Sequence, residues 1–208
     1  MKVSIIGSGG REHAICHFLS KSKKIKKIYC IPGNAGTSSI SENINLDINN
    51  HLEIKNFIKK NKVDLVIVGP EKPLVEGLVD YLENNKIKVF GPNKKSSRLE
   101  GSKIFTKKLC KKYNIPTANF KIFNNLNKSK KFLLNTKYPL VIKADNLASG
   151  KGVYICKNKQ EAINSVKEIF GGKFGKAKSV LVEEFLNGEE MSYFIISDGK
   201  TIKSFETA

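Results

Sequence analysis

The sequence has no tryptophan, and Arg11 and Arg98 are the only arginines among its 37 basic residues. Bidentate readers of bases and phosphates favour arginine, so a net charge of +18 carried by lysine argues against a nucleic-acid binder. Lysine, asparagine and isoleucine share A/T-rich codons and crowd this chain, so coding bias accounts for the basicity without a polyanionic partner. The four cysteines, Cys16, Cys30, Cys110 and Cys156, lie far apart with no C-x-x-C pair, which excludes a zinc ribbon and a disulfide scaffold. No apolar run approaches the ~18 residues of a membrane helix, and the opening MKVSIIGSGG is too short for a signal peptide. What remains is globular: 208 residues, 40% hydrophobic and 27% charged, enough for one large domain or two small ones. The chain reads as soluble and cytoplasmic.

Apolar patterning alternates strand and helix through the first half. Short strands are expected at 2–6, 28–31, 63–68 and 88–90, with helices over 11–22, around 52–58 and over 74–82. In the first helix Ala14, Ile15, Phe18 and Leu19 mark the apolar face. This alternation predicts an open parallel sheet wound by helices. The character changes near residue 100, where Ser102 is placed to cap a helix that ends before Ile115-Pro116. Strands at 120–123, 140–143, 153–156 and 179–185 follow, with helices near 127–135 and over 160–170. Two strands, 192–197 and 201–205, flank the turn Asp198-Gly199, and the chain stops at the end of the second, which reads as a cut.

Gly7-Ser8-Gly9-Gly10, between strand and helix, reads either as an anion-binding turn or as a tight strand-to-helix turn with no ligand. It is not a dinucleotide fingerprint, because Glu12 stands where G-x-G-x-x-G needs glycine and no acid ends the second strand. His13 and His17 share a helix face but have no third metal ligand nearby, so no metal site is assigned. Glu71 lies just past a buried strand, where open sheets place their ligands. In the second half, Lys143 at a strand end and the small-residue loop Asn146–Gly152 suit a phosphate, although the loop is not a Walker A loop. Glu183, Glu184, Glu189 and Glu190 cluster beside an apolar strand, as in a nucleoside site.

In order along the chain, GSGGREHA (7–14), PGNAGT (32–37), GPEKPL (69–74), FGPN (90–93), LEGSKIFTK (99–107), IPTA (115–118), YPLVIKADNLASGKGV (138–153) and VEEFLNGEEMS (182–192) resemble the phosphoribosylamine–glycine ligases of purine biosynthesis. The resemblance implies an α/β chain: a Rossmann-like pre-ATP-grasp domain at 1–100, then the front part of an ATP-grasp domain at 101–208, with its nucleotide-binding subdomain at about 118–188. It implies ATP-dependent ligation of glycine to 5-phosphoribosylamine, and a monomer with no nucleic-acid or membrane partner. A non-ligase ATP-binding protein of the ATP-grasp superfamily is the alternative. Carried over residue by residue, Lys103, Lys143, Ser149, Gly150, Gly152, Glu183, Glu184, Leu186 and Glu190 bind ATP, the last holding ribose. Lys151 closes on the γ-phosphate as the catalytic residue, and Gly9, Gly10, Arg11 and Glu71 face the phosphoribosylamine. The Mg²⁺ or Mn²⁺ of the family takes ligands beyond residue 208, so residues 1–208 alone are expected to be inactive. Asn146 departs from the family's usual glycine.

Overall fold

A computed structural model describes residues 1–147, 151–175, 177–205 and 207. The first half contains strands β1 (Lys2–Gly7), β2 (Lys27–Pro32), β3 (Glu42–Asn43), β4 (Leu65–Val68) and β5 (Val89–Phe90). Helices α1 (Gly10–Ser20), α2 (His51–Lys60), α3 (Glu71–Glu76) and α4 (Leu78–Asn84) alternate with them. The strands form one parallel sheet in the order β3-β2-β1-β4-β5. Central β1 sets Ile6 opposite Ile31 on one side and Val68 on the other. Ile6 packs with Ile54, Ile58 and Leu82 on one face, while Ile5 and Cys30 meet Cys16 on the other. Burial on both faces is why these strands read as continuous apolar runs rather than alternating ones.

Local differences from the sequence reading have physical causes. In α1 the buried residues are Glu12 and Cys16, whereas Phe18 is 68% exposed and stacks edge-on against His17. The expected helix over 74–82 is two helices, broken at Gly77, whose φ of +94° is left-handed. A helix unforeseen in the sequence, α5 (Lys94–Gly101), follows β5. Its one buried residue is Ser97, so it has no apolar stripe to reveal it. The cysteines are all unpaired, and burial holds Cys30 up to about 12, so its thiol stays protonated and serves as packing. Among the described residues no helix is long and apolar enough to cross a membrane.

Beyond Ser102 come α6 (Lys103–Lys112), β6 (Phe120–Phe123), α7 (Leu126–Leu133), β7 (Leu140–Ala144), β8 (Val153–Cys156), α8 (Lys159–Phe170) and β9 (Val180–Glu184). The four strands form a second, antiparallel sheet in the order β6-β9-β7-β8. Helices α7 and α8 cover one face, where Leu133, Ile142, Val166, Ile169 and Val182 are buried together. Helix starts use the residues that favour caps: Asn50, Asn93, Ser102, Asn125 and Asn158 each accept from an amide in the first turn. The last hairpin, β10 (Ile195–Ser197) and β11 (Ile202–Ser204), is shorter than the expected strands. It turns at Asp198-Gly199, where Asp198 Oδ1 accepts from the Lys200 and Thr201 amides.

Helix ends show the lysine bias from another side. Lys62 and Lys86 have φ of +52° and +61°, the left-handed position after a helix that glycine favours. In both, the next residue closes the motif: Val63 N–H donates to Ile58 O, and Ile87 N–H to Leu82 O, each at 3.1 Å. A side chain at left-handed φ is strained, and the gain on relieving it is partly offset by glycine's freedom in the unfolded chain. Lys62→Gly and Lys86→Gly should each raise stability by about 0.5–1 kcal/mol, moving the thermal midpoint up by about 1–4 °C. A midpoint that stays or falls would show that these lysines carry no such strain.

Candidate functional site

Two clusters of polar side chains sit at strand ends. The first gathers where β1 and β4 finish. Glu12, 3% exposed, lies under two turns: its Oε2 accepts from Gly9 N–H at 2.7 Å, and its carboxyl group fills the space a side chain at Gly7 or Gly69 would need. This is the reciprocal half of a capping box, and it explains why glutamate replaces the third glycine of the dinucleotide pattern. Arg11 bridges Glu12 and Glu71, at 3.1 Å from each. Burial opposes the Arg11 charge, but these two carboxylates outweigh it and raise its pKa. Glu71 is held below the usual carboxylate range, first by its own backbone amide and also by Arg11. Gly9, Gly10, Arg11 and Glu71 thus come together, and Gly10 is open on the side where a side chain would project. Asn34, from the turn after β2, donates to Ser8 O at 2.8 Å and ties the 32–37 loop to this cluster. His13 packs its ring beside Gly36, and His17 is exposed. Among the described residues no three His, Cys, Asp or Glu side chains are placed to hold a metal.

The second cluster lines a cleft of ≈ 640 Å³ between α6 and the face of the antiparallel sheet opposite α7 and α8. Its position is set by Asp145, just past β7. The Asp145 carboxylate accepts from Ser102 Oγ and from Ile104 N–H, both at 3.0 Å, and so pins the start of α6 to the end of β7. Lys103 donates to the carbonyls of Ala144 and Asn146, both at 3.1 Å. Burial lowers its pKa, with Asp145 and Glu100 pulling the other way. Deeper in the cleft Glu183, 5% exposed, receives two ammonium groups on one oxygen: Lys107 and Lys143 each lie 3.1 Å from Oε2. Its other oxygen, Oε1, is buried without a partner. The rim is different in kind. Val153, Ile155, Phe185 and Leu186 are 42%, 58%, 38% and 65% exposed, giving apolar walls, with Glu190 at one edge. Glu184 closes the far side: its carboxylate accepts from the Asn119 amide at 2.8 Å and its own N–H donates to Asn119 O.

The structure therefore brings Lys103, Lys143, Glu183, Glu184, Leu186 and Glu190 into one cleft. Gly152 is buried at the foot of the β7–β8 connection, its carbonyl accepting from Ala144 N–H at 2.8 Å, and Lys151 beside it is exposed. Ser149 and Gly150 lie outside the described residues. Asn146 ties its connection down by donating from its side chain to Phe174 O. The sequence reading missed Lys107 and Asp145. Lys107 stands four residues after Lys103 on one helix, a spacing that puts both on the same face, so the signal was present.

Comparison with known proteins agrees with this geometry. Residues 1–100 match the family model "Phosphoribosylglycinamide synthetase, N domain", and residues 101–208 match "Phosphoribosylglycinamide synthetase, ATP-grasp (A) domain". The chain is 47% identical over 213 residues to a phosphoribosylamine–glycine ligase of Caldanaerobacter subterraneus, covering 100% of this chain and 50% of that relative. The ligase of Brucella melitensis is 48% identical over 202 residues, covering 97% of this chain and 47% of its own length. Among solved structures, phosphoribosylamine–glycine ligase from Thermotoga maritima superimposes with a TM-score of 0.81 at 31% identity, covering 100% of this chain and 49% of that one. N5-carboxyaminoimidazole synthetase from Staphylococcus aureus shares the fold, with a TM-score of 0.73 at 15% identity over 99% of this chain and 53% of its own. The chain spans about half the length of the curated relatives it matches, and it belongs to the phosphoribosylglycinamide synthetase family.

Proposed function

We propose that this chain forms the ATP-binding and phosphoribosylamine-binding part of a cytoplasmic ligase. That enzyme joins glycine to 5-phosphoribosylamine, giving glycinamide ribonucleotide, ADP and phosphate. The observation that carries the reading is the cleft in which Lys143 reaches the buried carboxylate of Glu183, and Lys103 lines the same space from the carbonyls at the end of β7, beneath apolar walls. Chemically, a carboxylate is a poor electrophile. Transfer of the γ-phosphoryl group to glycine makes glycyl phosphate, which the amine of phosphoribosylamine attacks with loss of phosphate. Phosphoryl transfer is mostly positioning and charge neutralisation, and lysines supply compact charge for it.

In this reading the base lies between Ile155 and Leu186. The unpartnered Oε1 of Glu183 is matched by a base that carries an amino group, as adenine does. Glu184 reads the base through its carbonyl, because its N–H is already bonded to Asn119, and Leu186 reads it through its N–H. Glu190 at the rim accepts from ribose hydroxyls. Lys103 and Lys143 face the phosphates, and Lys151 closes over them with Ser149, Gly150 and Gly152. Arg11, Gly9, Gly10 and Glu71 take the phosphoribosylamine, with Gly10 offering an open approach. Mg²⁺ or Mn²⁺, held by residues beyond 208, would neutralise triphosphate charge when bound. Their ligands, the glycine site and a monomeric state belong to the proposal for the whole enzyme. The division at residue 100, with a nucleotide-binding subdomain at about 118–188, is part of the same proposal.

Calorimetric titration with ATP and GTP tests the reading. ATP should bind and GTP should not. Lys143→Ala should weaken ATP by about 10-fold, the low end for a charge-assisted contact because Lys143 is partly exposed. Equal binding of both nucleotides, or an unchanged ATP affinity in the variant, would remove the cleft as the nucleotide site.

A further inference from the structure

Lys107 has no part in the reading above, yet it is less exposed than Lys143, with 12% of its side chain accessible against 28%. Its ammonium donates to Thr117 Oγ1 at 2.7 Å and to Ala118 O at 3.3 Å, and it forms an ion pair with Glu183 Oε2 at 3.1 Å. It is held on three sides from α6, from the 117–118 segment and from β9. Lys143 is different. Its described hydrogen bond is the one to Glu183 Oε2 at 3.1 Å, on the same oxygen that Lys107 occupies. Two ammonium groups on one carboxylate oxygen repel each other, and one carboxylate cannot neutralise both. Lys107, fixed by its two hydrogen bonds, shares the carboxylate, so the more accessible Lys143 keeps charge that Glu183 does not neutralise.

We propose that Lys107 is a positioning residue for Lys143. By holding the Glu183 carboxylate it keeps the Lys143 ammonium available to an anionic group in the cleft. Without Lys107, Lys143 is the cation left in an ion pair with Glu183 among the described residues, the pair tightens, and the carboxylate's negative field faces any incoming phosphate. Charge of one sign in a narrow cleft is felt strongly by a polyanion and weakly by a neutral nucleoside. The loss should therefore grow with ligand charge. The phosphate part of this inference rests on the ATP reading; the part concerning Lys143 itself does not.

The test uses the 208-residue chain and four proteins: parent, Lys107→Met, Lys107→Arg, and the double variant Lys107→Met/Glu183→Gln. Two measurements are made on each. The first is calorimetric affinity for ATP and for adenosine. The second is the rate at which Lys143 is modified by an amine-acylating reagent, read by peptide mass spectrometry, with no nucleotide present. Lys107→Met should lose on the order of 10-fold in ATP affinity while adenosine is unchanged, and its Lys143 should acylate several-fold more slowly than in the parent. Lys107→Arg keeps the cation and should restore both. The double variant removes the carboxylate charge that traps Lys143, and its Lys143 labelling should return to the parental rate. A purely structural Lys107 would give equal losses for ATP and adenosine and a double variant whose Lys143 labelling stays as slow as in Lys107→Met. A purely long-range charge effect would leave Lys143 labelling at the parental rate. Either result overturns the proposal. If the parent binds no ATP, the nucleotide reading falls, and the labelling of Lys143 still decides whether Lys107 governs it.

Discussion

Gly33→Ala should destabilise the chain by about 3 kcal/mol, lowering the thermal midpoint by roughly 6–12 °C. Gly33 follows the last residue of β2 and has φ of +78°, a left-handed backbone that costs an L-residue about 1–2 kcal/mol. Space is the second term. A methyl group there falls on the side-chain amide of Asn43, and overpacking of a fitted site costs about 1–3 kcal/mol. Asn43 has no free direction to move. Its Oδ1 accepts from Thr37 Oγ1 and its Nδ2 donates to Asn34 O, both at 2.8 Å. Asn34 in turn donates to Ser8 O, so the displacement would reach the turn that carries Gly9 and Gly10. Gly10→Ala is the control, because a side chain there meets nothing within 4 Å, and its midpoint should stay close to the parent's. Equal midpoints for the two variants would show that the 32–37 loop yields to the added group.

The contrast between these glycines marks what the sequence could disclose. Strands β1, β2 and β4 were legible because burial on both faces leaves an uninterrupted apolar run, and α6 was legible from Ser102 as its cap. Helix α5 was not: it holds a single buried residue, and its start rests on Asn93 accepting from the Ser96 amide, a signal with no hydrophobic period. Phe18 misled in the opposite sense, because apolar spacing cannot tell that Glu12 and Cys16 claim the inner face of α1. At the cleft, the strand-end Lys143 comes together with Glu183, Glu184 and Glu190 of the acidic run. The pairing of Lys107 and Lys143 on Glu183 was out of reach, since residues on α6, β7 and β9 meet only through the antiparallel register that sets Val141 opposite Glu183.

Lys151 offers the sharpest test of the proposed chemistry. Its exposed side chain directly precedes Gly152, whose carbonyl is fastened to Ala144, and Val153 then pairs with Lys143 across the β7–β8 ladder. Lys151 therefore lies beside the strand end that bears Lys143, and in the proposed reading it approaches the γ-phosphate from there. A cation that meets the phosphoryl group mainly as its charge redistributes stabilises the transition state more than the bound ATP. Its removal should then appear in kcat and much less in KM. In an enzyme of the length seen in the relatives, Lys151→Ala should lower kcat by on the order of 10²-fold, the scale of one electrostatic contact at a reacting centre, with the KM for ATP moving only a few-fold. ADP lacks the γ-phosphate and should bind variant and parent alike. Steady-state kinetics and ADP calorimetry separate the alternatives. A variant with parental kcat would make the connection a plain linker between two strands. One that loses ADP affinity as steeply as Lys143→Ala loses ATP would place Lys151 in the static phosphate site, with no special part in the transfer step.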